Sequence, residues 1–521
     1  MTSGLAPLLW YIPDAALPDH MALASLFSSV LTWENPETEE TNDLACDLCT
    51  SWKLSPDGRS YTYFLNEKAR WWDGKPVTAV DVVFTLDSIT DPNKPEFGDV
   101  WKGHKGRPTA GAIGPYYESS RAIDEHTVEV KLKFPSASWH TAAFGLEHVA
   151  VLPKHTVLGE GKLQGLLEPQ NLNGSGPFKL TKFVKDVSLE YEKNKDYWKE
   201  GRPYLDGMVR FIITDAGTAL AALATEQVVM TTSSGRALSA IEAKRFQEQH
   251  GDRYNVYFVG PVFRYMLMLN TTRKPFDNPK VRRAIELAMH RQPIMETVGV
   301  GDLIPGLPLA PGLWFSRSLE ETATQVPGFR ESAPGVKHPD DIAEARKLLA
   351  EAGVPSGFKI ELTTGRGGKN VDTATLVAEQ LKKFLGLEVN LRVLEWTASI
   401  AAYGAGDFQT AVQFAGGAWD PDIAFLLRYR KGSISANWTH GENATNWARV
   451  QELYQAQQRE LDPVKRVALL RQIEDLILED DVTPGIYWDT QSPIVHKKIK
   501  NFHPSPLAGH KWEHIWCDPK C

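Results

Sequence analysis

Three stretches of this chain carry residue types and spacings suited to holding a small molecule. The first is Gly365-Arg366-Gly367-Gly368-Lys369-Asn370, which joins a strand-like run, Phe358–Thr364, to a helical run that ends near Leu385. Backbone N–H groups point outward at a helix start and the helix dipole favours negative charge, so such a loop can cradle a phosphate or carboxylate. Arg366 and Lys369 add two cationic donors. The same residues read equally as a surface loop with solvated charges. No GxxxxGK[ST] occurs, which excludes a nucleotide P-loop.

The second stretch is Phe414–Trp419, FAGGAW, followed by Asp420-Pro421-Asp422. Gly416 and Gly417 after a strand let backbone approach a ligand closely. Trp419 offers a ring and Asp420 an anion, although either aspartate is also placed to cap the next helix. The third is Asn437-Trp438 in ISANWTH. An indole face under a C–H-rich pyranose, with an amide for hydroxyls, is a natural sugar-binding combination; a Trp packed under its own loop is the alternative. Arg264 and Tyr265, in the β-rich run Asn255–Asn270, complete the candidates for ligand binding.

Nothing in the chain points to catalysis. There is no HExxH, GxSxG or Rossmann fingerprint, and no carboxylate pair is singled out by spacing. A hydrolase acting on glycosides needs two positioned acids, so a glycoside or phosphodiester hydrolase stands only as the rival from another class. We expect no catalytic residues, no cofactor and no metal. Cys46/Cys49 and Cys517/Cys521 form two close pairs. In an oxidising compartment an even count reads most simply as two disulfides, with three pairings open; free thiols and a four-thiolate metal site are the alternatives.

With 521 residues the chain is long enough for two or three domains. A formal charge of −8 disfavours nucleic acid and anionic membranes as partners. Sixteen Trp is a heavy load, most of it expected in packing and a few rings at a ligand. No apolar run reaches the length of a membrane span. The N-terminus lacks a basic n-region and a cleavage site, so it reads as no signal peptide.

The elements that position these residues follow from local pattern. Ser51–Ile89 reads as strand, turn at Pro56-Asp57-Gly58, strand with Tyr61, Tyr63 and Leu65 on one face, turn, then a helix capped at Thr78 with Val82, Val83 and Leu86 inward. A helix is expected at Ala22–Leu31, loop over residues 90–120, a hairpin in Ala122–Phe134, helix then strand in Ser138–Leu152, and a helix at Ala216–Glu226. Asn278 should cap a helix bearing Val281, Ile285 and Ala288 on one face, and Gly353 should stop another. Phe358–Trp396 reads as a βαβ unit whose helix begins at Asp372 and whose crossover is right-handed. Val450–Asp480 is helical, and Ile486–Trp488 a strand returning to the first lobe.

The order of residues in Ser51–Phe84 resembles the SxxLSPDGxxYTFxLxxxxxWxDGxPxTAxDVxF signature of family 5 extracellular solute-binding proteins, the peptide, nickel and oligosaccharide receptors of bacterial ABC importers. GSGPF at Gly174–Phe178, the Asn270–Arg291 block and the helix before Gly353 are also similar to that family. The resemblance implies an α/β fold of the periplasmic-binding-protein type II-like kind. Two lobes would be joined by a hinge, the larger carrying an extra β-rich subdomain (cluster C). On that pattern lobe I comprises 1–37, the β-rich subdomain 38–175, 176–264 and a C-terminal return 483–521; lobe II is 265–482.

The resemblance further implies a periplasmic receptor that delivers a small-molecule ligand to an ABC permease in the inner membrane, acting as a monomer. Peptide-binding members place an aspartate a few residues before the DPD to pair with the α-ammonium, where this chain has Gly416 and Gly417. An unpaired buried ammonium is costly. That departure, the cationic Gly-rich loop and the Trp/Asn pair together suggest a sugar conjugate bearing an anion, such as the sugar-phosphodiester opine agrocinopine and the related agrocin. Oligopeptides are the alternative, then neutral oligosaccharides, with nickel or haem last.

Overall fold

The computed structural model describes residues 32–34, 44–91, 94–98, 113–139, 149–160, 171–184, 187–213, 215–231, 238–367, 369–416, 420–422, 425, 429, 444–480, 482–504 and 511–519. The chain divides into two compact units: unit 1 is Met1–Ala237, Phe246–Tyr257 and Pro493–Cys521, and unit 2 is Leu238–Arg245 and Phe258–Ser492. The chain therefore crosses between the units at 237/238, 245/246, 257/258 and 492/493.

In unit 1 the Ser51–Ile89 stretch folds as strand, turn, strand and helix. β1 (Cys49–Leu54) turns into β2 (Ser60–Leu65) through Gly58, whose φ of 69° suits a residue without a Cβ. Tyr61, Tyr63 and Leu65 are buried, as the alternation requires, and the Trp139 indole N–H donates to the Tyr63 hydroxyl at 3.0 Å. α1 (Ala79–Thr90) starts at a capping box in which the Asp81 carboxylate accepts the Thr78 N–H at 2.9 Å. Its buried face uses Val82, Phe84, Leu86 and Ile89, while Val83 is only half-buried. β3 (Tyr117–Ala122) and β4 (Thr127–Leu132) complete a four-stranded sheet ordered β1-β2-β4-β3. The hairpin thus starts before Ala122, inside the stretch expected to be loop. β5 (Phe178–Val184), β6 (Ser188–Lys193) and β7 (Gly207–Phe211) form a second, three-stranded sheet.

A buried ion cluster ties distant parts of unit 1 together. Lys199 Nζ donates to Asp47 Oδ1 at 2.5 Å and to Glu513 Oε1 at 3.0 Å, and Lys511 Nζ donates to Asp47 Oδ1 at 2.9 Å. Burial by itself pushes both carboxyls up, but the two ammonium groups outweigh it and hold Asp47 far below its usual range and Glu513 at about 2. Asp47 sits between Cys46 and Cys49, which are bonded to each other, and Cys517 is disulfide-bonded as well. The pairing left open by spacing is therefore local for the first pair. Among the described residues no cysteine is free and no cluster of ligands could hold a metal.

Unit 2 is built on a six-stranded sheet. Its strands are β8 (Val259–Leu269), β9 (Ile304–Pro305), β10 (Lys359–Gly365), β11 (Glu388–Leu394), β12 (Thr410–Gly416) and β13 (Gly485–Gln491), in spatial order β9-β13-β8-β12-β10-β11. β10 pairs in parallel with β11 and β12, and α3 (Asn370–Leu385) makes the crossover of a βαβ unit. The helix starts at Asn370, two residues ahead of expectation. α2 (Pro279–Ala288) is capped by the Asn278 side chain and buries Val281, Ile285 and Ala288 as expected. The helix Pro339–Glu351 is followed by Gly353 at φ 72°.

One strand belongs elsewhere than the pattern suggested. β13 contains Ile486–Trp488 and hydrogen-bonds to both β8 and β9, so it completes the sheet of unit 2 and does not return to the first lobe. The reason is non-local: β8 has a free edge that only a strand far downstream fills. The expected Ala22–Leu31 helix and most of Ser138–Leu152 lie outside the described residues. No helix among the described residues is long and apolar enough to cross a membrane.

Candidate functional site at the strand ends of unit 2

The parallel strands β10 and β12 end at Gly365 and Gly416, and the sheet brings their ends to one edge. Phe263 of β8 pairs with Gly416 on one side and with Asp489 of β13 on the other. Ligands of open α/β sheets bind outside the carboxyl ends of parallel strands. The topology therefore gathers the glycine-rich loop, Gly416 and the start of β8 at the place where a ligand would be held.

Glycine is required twice in the loop. A Cβ at Gly365 would lie 2.6 Å from Ser399 Oγ and 3.2 Å from Trp396 Cε3, both on α4 (Trp396–Ala405). Gly367 has φ 118°, a backbone that L side chains rarely adopt, with open space around it. Gly365→Ala is therefore expected to cost about 1–3 kcal/mol through overpacking against α4. A urea titration showing less than half of that would mean Ser399 swings away freely.

The two loop cations have different fates. Arg366 Nε donates to Glu395 Oε1 at 2.8 Å, with the two side chains 67% and 66% exposed. Such a surface pair is worth at most about 1 kcal/mol and yields easily to a competing anion. Lys369 is buried, and its Nζ donates to Asp489 Oδ1 at 2.6 Å. Burial raises the Asp489 pKa, opposed by the Lys369 ammonium. Lys369 is thus neutralised from within, which corrects its expected role as a free anion donor. Asn370 Oδ1, at the start of α3, is buried without a hydrogen-bond partner among the described residues. Such a group calls for a donor from water or ligand.

Arg264 is also corrected. It is 1% exposed and its guanidinium donates to Gly306 O at 2.8 Å, the Tyr429 hydroxyl at 2.7 Å and Thr483 O at 3.1 Å. It knits the sheet to flanking loops and offers no donor at a surface. Tyr265 is buried too, stacked on Tyr487 at 4.6 Å and tilted against Phe414 at 5.2 Å. The Tyr487 hydroxyl meets Thr373 Oγ1 at 2.8 Å, and burial drives its pKa well up.

The aromatic run continues outward, Trp396 stacking on Phe414 at 5.4 Å and Phe263 meeting it edge-on at 5.3 Å. These three rings are partly exposed; Phe414 opens the second candidate stretch, whereas Phe263 and Trp396 are not among the candidates from sequence. Phe414 stood two residues before Gly416, so strand-end position was a usable signal. Asp420 is buried and accepts the Asp422 N–H at 2.8 Å, the capping role offered as the alternative for it. Asp422 is bonded to Gln457. Gly368, Gly417, Trp419, Asn437 and Trp438 lie outside the described residues.

A two-unit α/β molecule whose mixed sheet ends in a glycine-lined, ring-bearing edge has the fold of periplasmic binding proteins of type II-like architecture. The chain belongs to the bacterial extracellular solute-binding proteins, family 5, whose profile matches residues 43–437. Among curated relatives, di/tripeptide-binding protein 3 of Pseudomonas aeruginosa is 27% identical over 509 residues, 93% of this chain and 88% of that protein. Among solved structures, a dipeptide-binding protein from Pseudoalteromonas in complex with Met-Leu superposes with TM-score 0.79 at 21% identity, covering 98% of this chain and 97% of the other. AgaA of A. tumefaciens R10 in complex with agropinic acid gives TM-score 0.75 at 21% identity, covering 99% and 96%. As a member of that family the protein is an extracellular solute-binding protein and not an enzyme, which sets aside the hydrolase alternative.

Proposed function

We propose that the solute is an anionic sugar conjugate of the opine kind, a sugar phosphodiester such as agrocinopine or the related agrocin, received by Arg366 at the glycine loop. The observation that carries this reading is the contrast between the loop cations. Arg366 is held only by an exposed Glu395 that an anion can displace, whereas Lys369 is already spent on Asp489. Gly367, with open space around it, lets a ligand approach the backbone beside Arg366. Gly416, with Gly417 next in sequence, stands where peptide-binding members carry an acid, and Asp420 is turned to its own backbone. The opine ligand in AgaA supports the class. In this reading the receptor works as a monomer, closes about a hinge and delivers its ligand to an inner-membrane permease. Gly368, Gly417, Trp419, Asn437 and Trp438 are proposed as further lining.

Peptides are the second reading, favoured by relatives named as di- and tripeptide-binding proteins. Isothermal titration of the full chain with a sugar-phosphodiester opine, beside a di- and tripeptide mixture, separates the two. We expect opine binding to weaken about tenfold in Arg366→Ala, the loss of one charge-assisted contact. Peptide binding with silence toward the opine would overturn the proposal and assign the ammonium to another acid.

A further inference from the structure

A cavity of about 240 Å³ lies within unit 2, lined by Phe258, Gly260, Pro261, Asp302, Ile304, Trp488 and Thr490. Its origin is a break in the sheet. β8 pairs with β13 with two register shifts, one between Tyr265 and Met266 and a wider one between Val259 and Phe263. Pro261 falls in that gap and has no N–H to continue the ladder. Gly260 keeps the backbone close: a Cβ there would stand 2.8 Å from Thr490 Cγ2 and 3.2 Å from Asp489 O. The regular ladder is interrupted here, and a concavity lies between the start of β8, the end of β13 and the residues around β9.

The walls are apolar apart from the Thr490 hydroxyl and one charged group. Phe258 is 39% exposed, a large ring left without full cover, and Ile304 and Pro261 add aliphatic surface. The Trp488 indole N–H is already given to Leu307 O at 3.0 Å, so this residue presents only its ring. The charged group is Asp302. Its Oδ1 accepts the Val300 N–H at 2.8 Å and its Oδ2 the Thr490 hydroxyl, yet no described cation lies within ion-pairing distance of it. Asp489 next to it is covered by Lys369, and the Asp302 charge opposes ionisation there. Two carboxylates thus face one ammonium, and the uncompensated one lines the cavity.

We propose that this cavity binds a primary ammonium carried on a short apolar body, with the charge on Asp302 and the body against Phe258, Ile304 and Trp488. An anion would meet the Asp302 carboxylate, and a neutral apolar molecule would cover that charge without answering it. Aromatic walls beside an unpaired anion favour an organic cation over a hydrated metal ion, because rings reward the cation and its alkyl surface together. The cavity lining shares no residue with the glycine loop, although Lys369 of that loop pairs with Asp489, between Trp488 and Thr490.

The test is calorimetric titration of the full chain with n-butylammonium chloride, with n-butanol and sodium butyrate as controls at matched ionic strength. We expect saturable binding of butylammonium alone. Asp302→Asn should weaken it by about tenfold, the loss of a partly desolvated charge contact, while Arg366→Ala leaves it unchanged. Phe258→Ala, at a partly exposed position, should also weaken it and guards against a fold defect in the Asp302 variant. Equal binding of butanol, the absence of saturable butylammonium binding, or full affinity in both Asp302→Asn and Phe258→Ala would each overturn the proposal. A loss of butylammonium binding in Arg366→Ala would overturn it too, by making the two sites one.

Discussion

Lys199→Ala should lower the stability of unit 1 by about 3–5 kcal/mol, the cost of stranding buried charges whose partner has been removed. Asp47 and Glu513 are 6% and 3% exposed, and Lys199 is the group that bonds to both. Its ammonium also lies 4.9 Å from the Trp198 ring centroid, so alanine forfeits that contact as well. Lys511 reaches Asp47 at 2.9 Å but Glu513 only at 4.0 Å, and cannot replace it at both. A urea titration followed by tryptophan fluorescence reads the loss; a shift below about 1 kcal/mol would mean water enters and solvates the acids.

The same cluster makes unit 1 acid-sensitive in a defined window. Both carboxyls have folded pKa values below their ordinary range, Glu513 at about 2. A depressed folded pKa means the unfolded chain binds protons first as pH falls. The stabilisation is complete above the unfolded carboxylate pKa of about 4 and is lost as pH drops through the folded values. The Lys199→Ala variant should show a flatter stability curve between about pH 4 and 2. Parallel curves for the two proteins would place the acid response elsewhere.

Arg264→Ala should destabilise unit 2 by about 3–5 kcal/mol, from several buried acceptors left unsatisfied at about 1–3 kcal/mol each and from the cavity left behind. Arg264→Lys should recover only part of it, because one ammonium cannot reach Gly306 O, Thr483 O and the Tyr429 hydroxyl in their separate directions. Ligand affinity at saturating fold should hold in the lysine variant. A variant that is stable but fails to bind would reverse the assignment and return Arg264 to the ligand.

What the sequence disclosed, and what it hid, divides along the range of the interactions. The Ser51–Ile89 unit was legible because its turn at Gly58, its alternation through Tyr61 and Tyr63 and its cap at Thr78 are all decided within a few residues. Asn278 and Gly353 were legible for the same reason. The glycine loop was found because a strand, a cluster of glycines and a helix start follow one another in sequence. Its charge balance was not, because Asp489, which neutralises Lys369, lies 120 residues downstream. Arg264 misled in a similar way: a lone arginine in an apolar strand looks like a ligand contact until Gly306 and Thr483 arrive from other loops. Of the ring-bearing edge, Trp396 and Phe414 belong to different elements, and only folding puts 5.4 Å between them.

The position of β13 has a consequence for how this chain is made. β8, complete by Leu269, waits for Gly485–Gln491 before its second edge is paired. In unit 1, Tyr254–Val256 waits for Ile494–His496, and Asp47 for Lys511. Each unit therefore stays open until its late strand has been synthesised, so neither can finish folding from its early strands alone. A product terminated ahead of Gly485 would not be a shorter receptor. It would be a chain with an open strand edge in each half, a template for aggregation and a substrate for proteases.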